Sequence, residues 1–323
     1  MKFVIASDNN YFNYTYVALN SLLDKNKNYK NLEIVFIHQN ISIENSANIQ
    51  KLSEKYKKHI ELIDFAVPLL FEKLPSVGES KTTFAKFTFS SLFEDDIVVF
   101  LDPDILVMGD LSGFEKIDMS GYLVAGVIEN LPYYHREFAK MSGDDSYING
   151  GVLIMNLKLW RELDIDSIFS EYIRNNSQNF NYDQGIINEI CKGKIKILEP
   201  QFNALAELFE IRNAKNIVKR YKFNYYYTQE QIDFAIKNPV IVHFTHFLYG
   251  KPLSKGCLHP YTEIFIDYLN TSGMKYELKK RKIDLKIEIR RFFLKKMPFK
   301  FYILLENILD IRRKYLMKKQ IKN

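Results

Sequence analysis

The chain has 323 residues, 47% of them hydrophobic and 26% charged, which supports a sizeable core and excludes a disordered or collagen-like protein. No uninterrupted apolar run approaches the roughly 18 residues of a membrane span, and only Phe3 to Ala6 are apolar after Met1 and Lys2, so no secretory segment is expected and the expected setting is cytoplasmic. The net charge of +6 is unevenly spread: residues 275–323 carry 17 Lys or Arg against 5 Asp or Glu, a balance of +12, which leaves residues 1–274 at −6. Such a contrast predicts a body of 1–274 and a basic appendage of 275–323 with its own electrostatic partner. Cys191 and Cys257 are too few and too far apart for a disulfide framework or a zinc knuckle.

In chain order, Lys2 to Ala6 reads as a strand and Tyr16 to Leu23 as a helix. Leu32 to Ile37 is a second strand, Ile43 to Tyr56 a helix, Ile60 to Phe65 a third strand and Phe84 to Phe93 a helix. The continuous run Ile97 to Leu101 has the pattern of a central strand buried on both faces. Beyond it, Tyr122 to Ile128 and Val152 to Met155 read as strands, Leu159 to Ile173 and Gly185 to Ile190 as helices, and Ile195 to Leu198 and Val240 to Phe244 as further strands. Strands alternating with helices predict an α/β fold around a mostly parallel sheet. In the tail, Phe301, Leu304, Leu305, Ile308, Ile311 and Tyr315 fall near one face of a helix, preceded by Ile283 and Ile287 one turn apart.

Ligands of open α/β sheets sit beyond the carboxyl ends of the strands, which directs attention to Ser7 to Asn10, to Asp102 to Asp104 and to His243 with His246. Asp102 and Asp104 are carboxylates one residue apart at a strand end, a spacing that suits a hard divalent cation. A second D-x-D, Asp164 to Asp166, lies in a predicted helix, where capping or solvent exposure is the ordinary role. His243 ends an apolar run eight residues before Lys251. A neutral imidazole ligates Mn²⁺ or Zn²⁺, and a lysine neutralises phosphate oxygens.

Five ordered motifs, FVIASDNNY (3–11), FLDPDILVMGDL (100–111), YINGGVLIMNLKLWR (147–161), YDQGIIN (182–188) and HF followed by GKP (243–252), resemble glycosyltransferase family 8 across residues 2–270. The resemblance implies a single GT-A domain, retaining transfer of galactose or glucose from a UDP-sugar donor to a bacterial surface glycan, and Mn²⁺ or Mg²⁺ on Asp102, Asp104 and His243. It also implies uridine binding by Ala6, Asp8, Asn10 and Tyr11, phosphate contact by Gly250 and Lys251, donor-sugar contact by Lys86, Asn149 and Gly150, and catalytic roles for Asp183 and Gln184. Lys86 stands where many members carry Arg, Glu129 where a related enzyme carries Asp, and Leu253 where the usual motif ends in Trp.

Two other readings compete with this one. A haloacid-dehalogenase-like phosphatase also carries D-x-D after an apolar strand, but Leu106 occupies the place of its Thr or Val. A non-catalytic protein binding through its basic tail is the other, although the chain carries no helix-turn-helix, zinc-finger or RNP motif, and a nucleic-acid partner is not expected. The tail's basic clusters around apolar positions instead suit an anionic membrane surface, where lipid-linked acceptors are presented, and predict peripheral attachment to the inner face of the membrane.

Overall fold

Apolar runs long enough to be buried on both faces form the middle of the molecule in a computed structural model, which describes all residues except 73, 75–79, 143–144, 176–181, 246, 280–284 and 323. Among the described residues ten strands run in chain order: β1 (Lys2–Asp8), β2 (Glu33–Gln39), β3 (Ile60–Asp64), β4 (Ile97–Leu101), β5 (Ile105–Val107), β6 (Val124–Gly126), β7 (Val152–Asn156), β8 (Ile195–Ile197), β9 (Ala204–Leu205) and β10 (Ile241–His243). Seven make one sheet in the order β3-β2-β1-β4-β7-β6-β8, and β5-β10-β9 make a second. In the large sheet every strand except β7 points the same way.

Alternation along each strand feeds two cores. Phe3, Ile5, Phe36, Val99 and Leu101 pack with the helix Phe12–Lys25 on one face, while Val4, Ala6, Val35, Val98 and Phe100 pack with Phe84, Trp160 and Phe169 on the other. The mostly parallel α/β sheet expected from the sequence is what forms.

Register brings distant residues together. β1 and β4 run in parallel with Ile5 beside Leu101, so the polar residues after both strands leave the sheet at the same edge. β7 runs antiparallel to β4 with Val152 beside Leu101, so its entry residues Gly150 and Gly151 meet Asp102, whose N–H donates to the Gly151 carbonyl at 2.6 Å. In the small sheet His243 pairs with Ile105, and the Phe244 N–H donates to the Asp104 carbonyl at 3.0 Å.

Several elements differ from the sequence expectation. Phe84 to Phe93 is mostly a 3₁₀ segment, Thr82–Thr88, followed by the short helix Phe89–Leu92. The helix expected over Leu159 to Ile173 is two helices, Leu157–Glu162 and Ile165–Asn175, separated at Asp164 with φ of 50°. Asp166 accepts from the Ser90 hydroxyl at 2.6 Å, so this second D-x-D is structural. The strand expected over Tyr122 to Ile128 keeps only Val124–Gly126, and the helices Ala206–Ile211, Ala214–Tyr221 and Gln229–Lys237 were not anticipated.

The tail forms two helices, Leu285–Lys296 and Phe299–Lys322, and both dock on the body. The docking face is ionic. Arg220 reaches Glu306 at 2.9 Å and Asp310 at 2.7 Å, Arg290 also bonds Glu306, Arg291 donates to the Leu248 carbonyl, and Lys314 pairs with Glu137. Glu306 and Tyr302 are fully buried there. Most of the apolar stripe falls on the other side: Phe301, Leu304, Ile308, Ile311 and Tyr315 are 38 to 71% exposed, while Leu305 is half-buried. Ile287 is half-buried, and Ile283 lies outside the described residues.

Candidate functional site

The shared edge of β1 and β4 opens into a cleft of about 220 Å³ lined by Ala6, Ser7, Asp8, Tyr11, Asp102, Asp104, Gly150, Asp183, Gln184 and Lys251, together with Ser80, Thr82 and Thr83. Residues of all five motifs therefore meet in one cavity. His243 lies buried beneath it, while His246 is outside the described residues. Asn10 is exposed beside Asp8, Asn149 is buried behind the cleft, and Gly250 sets the approach of Lys251 with φ of +79°.

His243 Nε2 stands 3.7 Å from Asp102 Oδ2 and 3.4 Å from Asp104 Oδ1. Among the described residues, ligand atoms of these three side chains lie within 4.8 Å of one another. Two carboxylate oxygens and an imidazole nitrogen form a donor set that fits Mn²⁺ or Mg²⁺. The space is kept open by Gly151, where an added Cβ would lie 2.3 Å from the His243 ring and 2.5 Å from Asp102 Oδ2.

Burial, opposed by Lys86 and reinforced by the neighbouring Asp104, pushes the Asp102 carboxyl up to about 6. Burial acts the same way on Asp104, but Lys251 and His243 outweigh it and hold that group well below the usual carboxylate range. His243 is desolvated, yet the two carboxylates hold it above the ordinary imidazole value. Asp104 faces two ways, with Oδ1 toward His243 and Oδ2 2.5 Å from the Lys251 ammonium, which also donates to the Tyr11 hydroxyl at 3.1 Å.

Lys86 is fully buried, donates to Asp183 Oδ2 at 2.6 Å and to the Gly150 carbonyl at 3.1 Å, and lies 4.0 Å over the Phe100 ring. It does not line the cleft with the donor-contact candidates; it holds Asp183 at the cleft wall.

Asn203 was not anticipated, and it organises the floor. The Gly151 N–H donates to Asn149 Oδ1 at 2.9 Å, so the Asn203 group facing that same oxygen, at 2.8 Å, is its amide nitrogen. Asn203 Oδ1 therefore faces His243 Nδ1, at 3.1 Å, and accepts its proton. This fixes the ring with Nε2 aimed at the two carboxylates, so that the proton they draw to Nε2 is the one a bound metal would displace, the arrangement a metal-ligating histidine needs. On the other side, Asn149 Nδ2 donates to Glu129, and Gln184 Oε1 accepts from the Gly150 N–H at 2.9 Å and from Asn149 at 3.3 Å. One chain of amides thus connects the candidate metal ligand to Gln184. Nothing local in the sequence marks Asn203; it gains its place because it immediately precedes β9, which pairs with β10.

The chain belongs to glycosyltransferase family 8, whose model matches residues 2–252. General stress protein A of Bacillus subtilis is 22% identical over 277 residues, covering 84% of this chain and 93% of its own length. The lipopolysaccharide 1,2-glucosyltransferase of Escherichia coli is 22% identical over 276 residues, covering 83% of this chain and 77% of its own length. The crystal structure of the galactosyltransferase LgtC in complex with donor and acceptor sugar analogs superposes with a TM-score of 0.71 at 23% identity, covering 86% of this chain and 98% of that one, and shares its fold. A family 8 glycosyltransferase replaces the phosphatase reading of the D-x-D.

Proposed function

We propose that this enzyme is a retaining hexosyltransferase that moves galactose or glucose from a UDP-hexose to a hydroxyl of a bacterial surface glycan. The observation that carries this reading is the meeting of Asp102, Asp104 and His243 at the floor of a cleft walled by Asp8, Tyr11 and Lys251 on one side and Asp183 and Gln184 on the other. Asp102, Asp104 and His243 would hold Mn²⁺ or Mg²⁺, which when bound supplies Lewis-acid stabilisation of the diphosphate. Ala6, Asp8 and Tyr11 line the uridine end, and the Lys251 ammonium adds a fixed positive charge beside the leaving phosphate.

Retention requires either a covalent relay or attack on the face that UDP leaves. Gln184 is a poor nucleophile as a neutral amide, and its carbonyl oxygen already accepts two N–H bonds. Front-face attack by the acceptor hydroxyl is therefore favoured, with its proton passing to the departing phosphate oxygen. Asp183, fixed by Lys86, orients the donor sugar.

The tail supports attachment to the inner membrane face. Its ionic side is used up on the body, and the exposed stripe from Phe301 to Tyr315 is flanked by the cations Lys300, Arg312, Lys318 and Lys319. Near an anionic bilayer each such cation contributes about 1 kcal/mol, and lipid-linked acceptors are presented at that surface.

The test is incubation with a panel of UDP-sugars and Mn²⁺, with no acceptor. Slow release of UDP from UDP-galactose or UDP-glucose, abolished by chelation, is expected. Absence of release from every UDP-sugar would overturn the proposal.

A further inference from the structure

Lys251 stands on a long connection. Between β10 and the helix Thr262–Asn270, the described residues of 244–261 form neither helix nor strand, apart from one isolated bridge at Ser254. A connection of this length without structure of its own is uncommon in a compact domain and ordinarily functional. Its turn is shaped from within: the Ser254 N–H donates to the Lys251 carbonyl at 2.9 Å, and the Cys257 thiol donates to the Gly250 carbonyl at 3.3 Å. Tyr249 and Leu253 anchor it to the core. On either side of Lys251 the tail then adds hydrogen bonds. Arg291 of the helix Leu285–Lys296 is buried, pairs with Glu288 at 3.0 Å and donates to the carbonyl of Leu248, a fully buried residue three positions before Lys251. Lys279 holds the other side, its N–H donating to the Leu253 carbonyl at 2.9 Å and its carbonyl accepting from the Lys255 N–H at 3.0 Å. The Arg290 guanidinium lies 5.8 Å from the centre of the Phe247 ring.

We propose that Arg291, together with the Lys279 backbone, is a positioning residue of the donor site: it braces the turn from Leu248 to Leu253 and so holds the Lys251 ammonium where the leaving diphosphate is bound. The proposal rests on the transferase reading and adds a residue to its machinery. An ammonium on a flexible four-carbon stem is a mobile point charge, so its worth to an anion depends on where its backbone is fixed, and the attraction weakens with distance and with entering water. The Leu248 carbonyl is a buried acceptor that needs a donor, and Arg291 supplies it from the tail. Without that donor the turn gains by moving toward water, and Lys251 is drawn away from its 2.5 Å contact with Asp104. Arg291 does not line the donor cleft, so its effect passes through Lys251. The basic tail is thereby a working part of donor binding and not a separable appendage.

The experiment uses full-length enzyme at saturating Mn²⁺ and measures binding of UDP and of UMP by calorimetry. Arg291→Met should weaken UDP about tenfold, the loss expected when a hydrogen-bonded charge is misplaced, and leave UMP, which lacks the second phosphate, unchanged. In a Lys251→Met background the same change should cost nothing more, because no ammonium is left to position. Lys314→Met, which breaks an ion pair elsewhere on the docked tail, should keep both affinities at the wild-type level. Circular dichroism and the thermal midpoint establish that each variant is folded, and Lys279→Pro, which removes the N–H donated to Leu253, carries the same test if Arg291→Met does not fold. Equal loss of UDP and UMP affinity, a further loss in the double variant, or a loss as large in Lys314→Met overturns the proposal. Wild-type enzyme that binds no UDP overturns the transferase reading along with it, whereas unchanged UDP affinity in Arg291→Met overturns this proposal alone.

Discussion

Replacing Asn203 by leucine removes two hydrogen bonds at the floor of the cleft while keeping a side chain of similar size. The partners are affected unequally. Asn149 Oδ1 keeps the Gly151 N–H at 2.9 Å, but His243 Nδ1 loses the acceptor that stands 3.1 Å from it. A buried N–H left without a partner costs about 1–3 kcal/mol, and the neutral ring can escape that cost by moving its proton to Nε2, the atom that faces Asp102 and Asp104. Converted at about 1.4 kcal/mol per decade, the penalty is roughly 5- to 150-fold in metal affinity, which agrees with the 10- to 100-fold typical when a partner of a metal ligand is removed. Mn²⁺ titration by calorimetry with UDP present should show that loss, at a thermal midpoint close to that of the wild type. Asn203→Asp separates the two contacts: its carboxylate can still accept from Nδ1–H, but it turns an oxygen toward Asn149 Oδ1. Metal affinity should then be largely retained while donor hydrolysis falls. Unchanged Mn²⁺ affinity in Asn203→Leu would refute the tautomer argument.

Asp102→Asn or Asp104→Asn should abolish transfer and weaken UDP binding only when Mn²⁺ is present; near-wild-type activity after chelation would remove the metal from the mechanism. Gln184→Ala should slow transfer strongly without eliminating it, and a glycosylated Gln184 peptide caught by mass spectrometry would reinstate the covalent relay. Burial pushes Glu210 up to about 8, against the pull of Arg291, and among the described residues neither carboxylate oxygen has a hydrogen-bond partner. Between pH 4.5 and 8 the folded chain holds this proton and the unfolded chain does not, so this contribution to stability is full at the acid end and lost as pH rises through 8. The thermal midpoint of Glu210→Gln should therefore fall less than that of the wild type between pH 5 and 8.5, and parallel curves would refute this. For the membrane contact, removal of residues 275–323 would strand buried Arg220 without Glu306 and Asp310, so the sharper variant is Leu304→Glu with Ile308→Glu on the exposed face. It should lose salt-sensitive binding to anionic liposomes while still hydrolysing donor, and equal liposome binding would exclude the stripe.

What the sequence determines by itself lies within a few residues of each motif. An apolar run followed abruptly by polar residues marks both a buried strand and the exit of that strand into a ligand edge, because the same burial that selects Ile97 to Leu101 expels Asp102 and Asp104. Three such exits, after β1, β4 and β10, were legible, and parallel strand direction is enough to bring the first two together. The pairings across the cleft were not legible. Lys86 reaches Asp183 across 97 residues and Asn203 reaches Asn149 across 54, and the direction of a polar side chain leaves no periodic trace in either segment. The tail shows the same division. Helical spacing from Phe301 to Tyr315 identifies an apolar face, and apolar faces ordinarily turn inward. Here Arg220, 86 residues before Glu306, captures that carboxylate and Asp310 and turns the helix the other way. Hydrophobic periodicity is a local property of the chain, whereas which face is buried depends on charges supplied by elements far away in sequence, and only the folded structure brings them together.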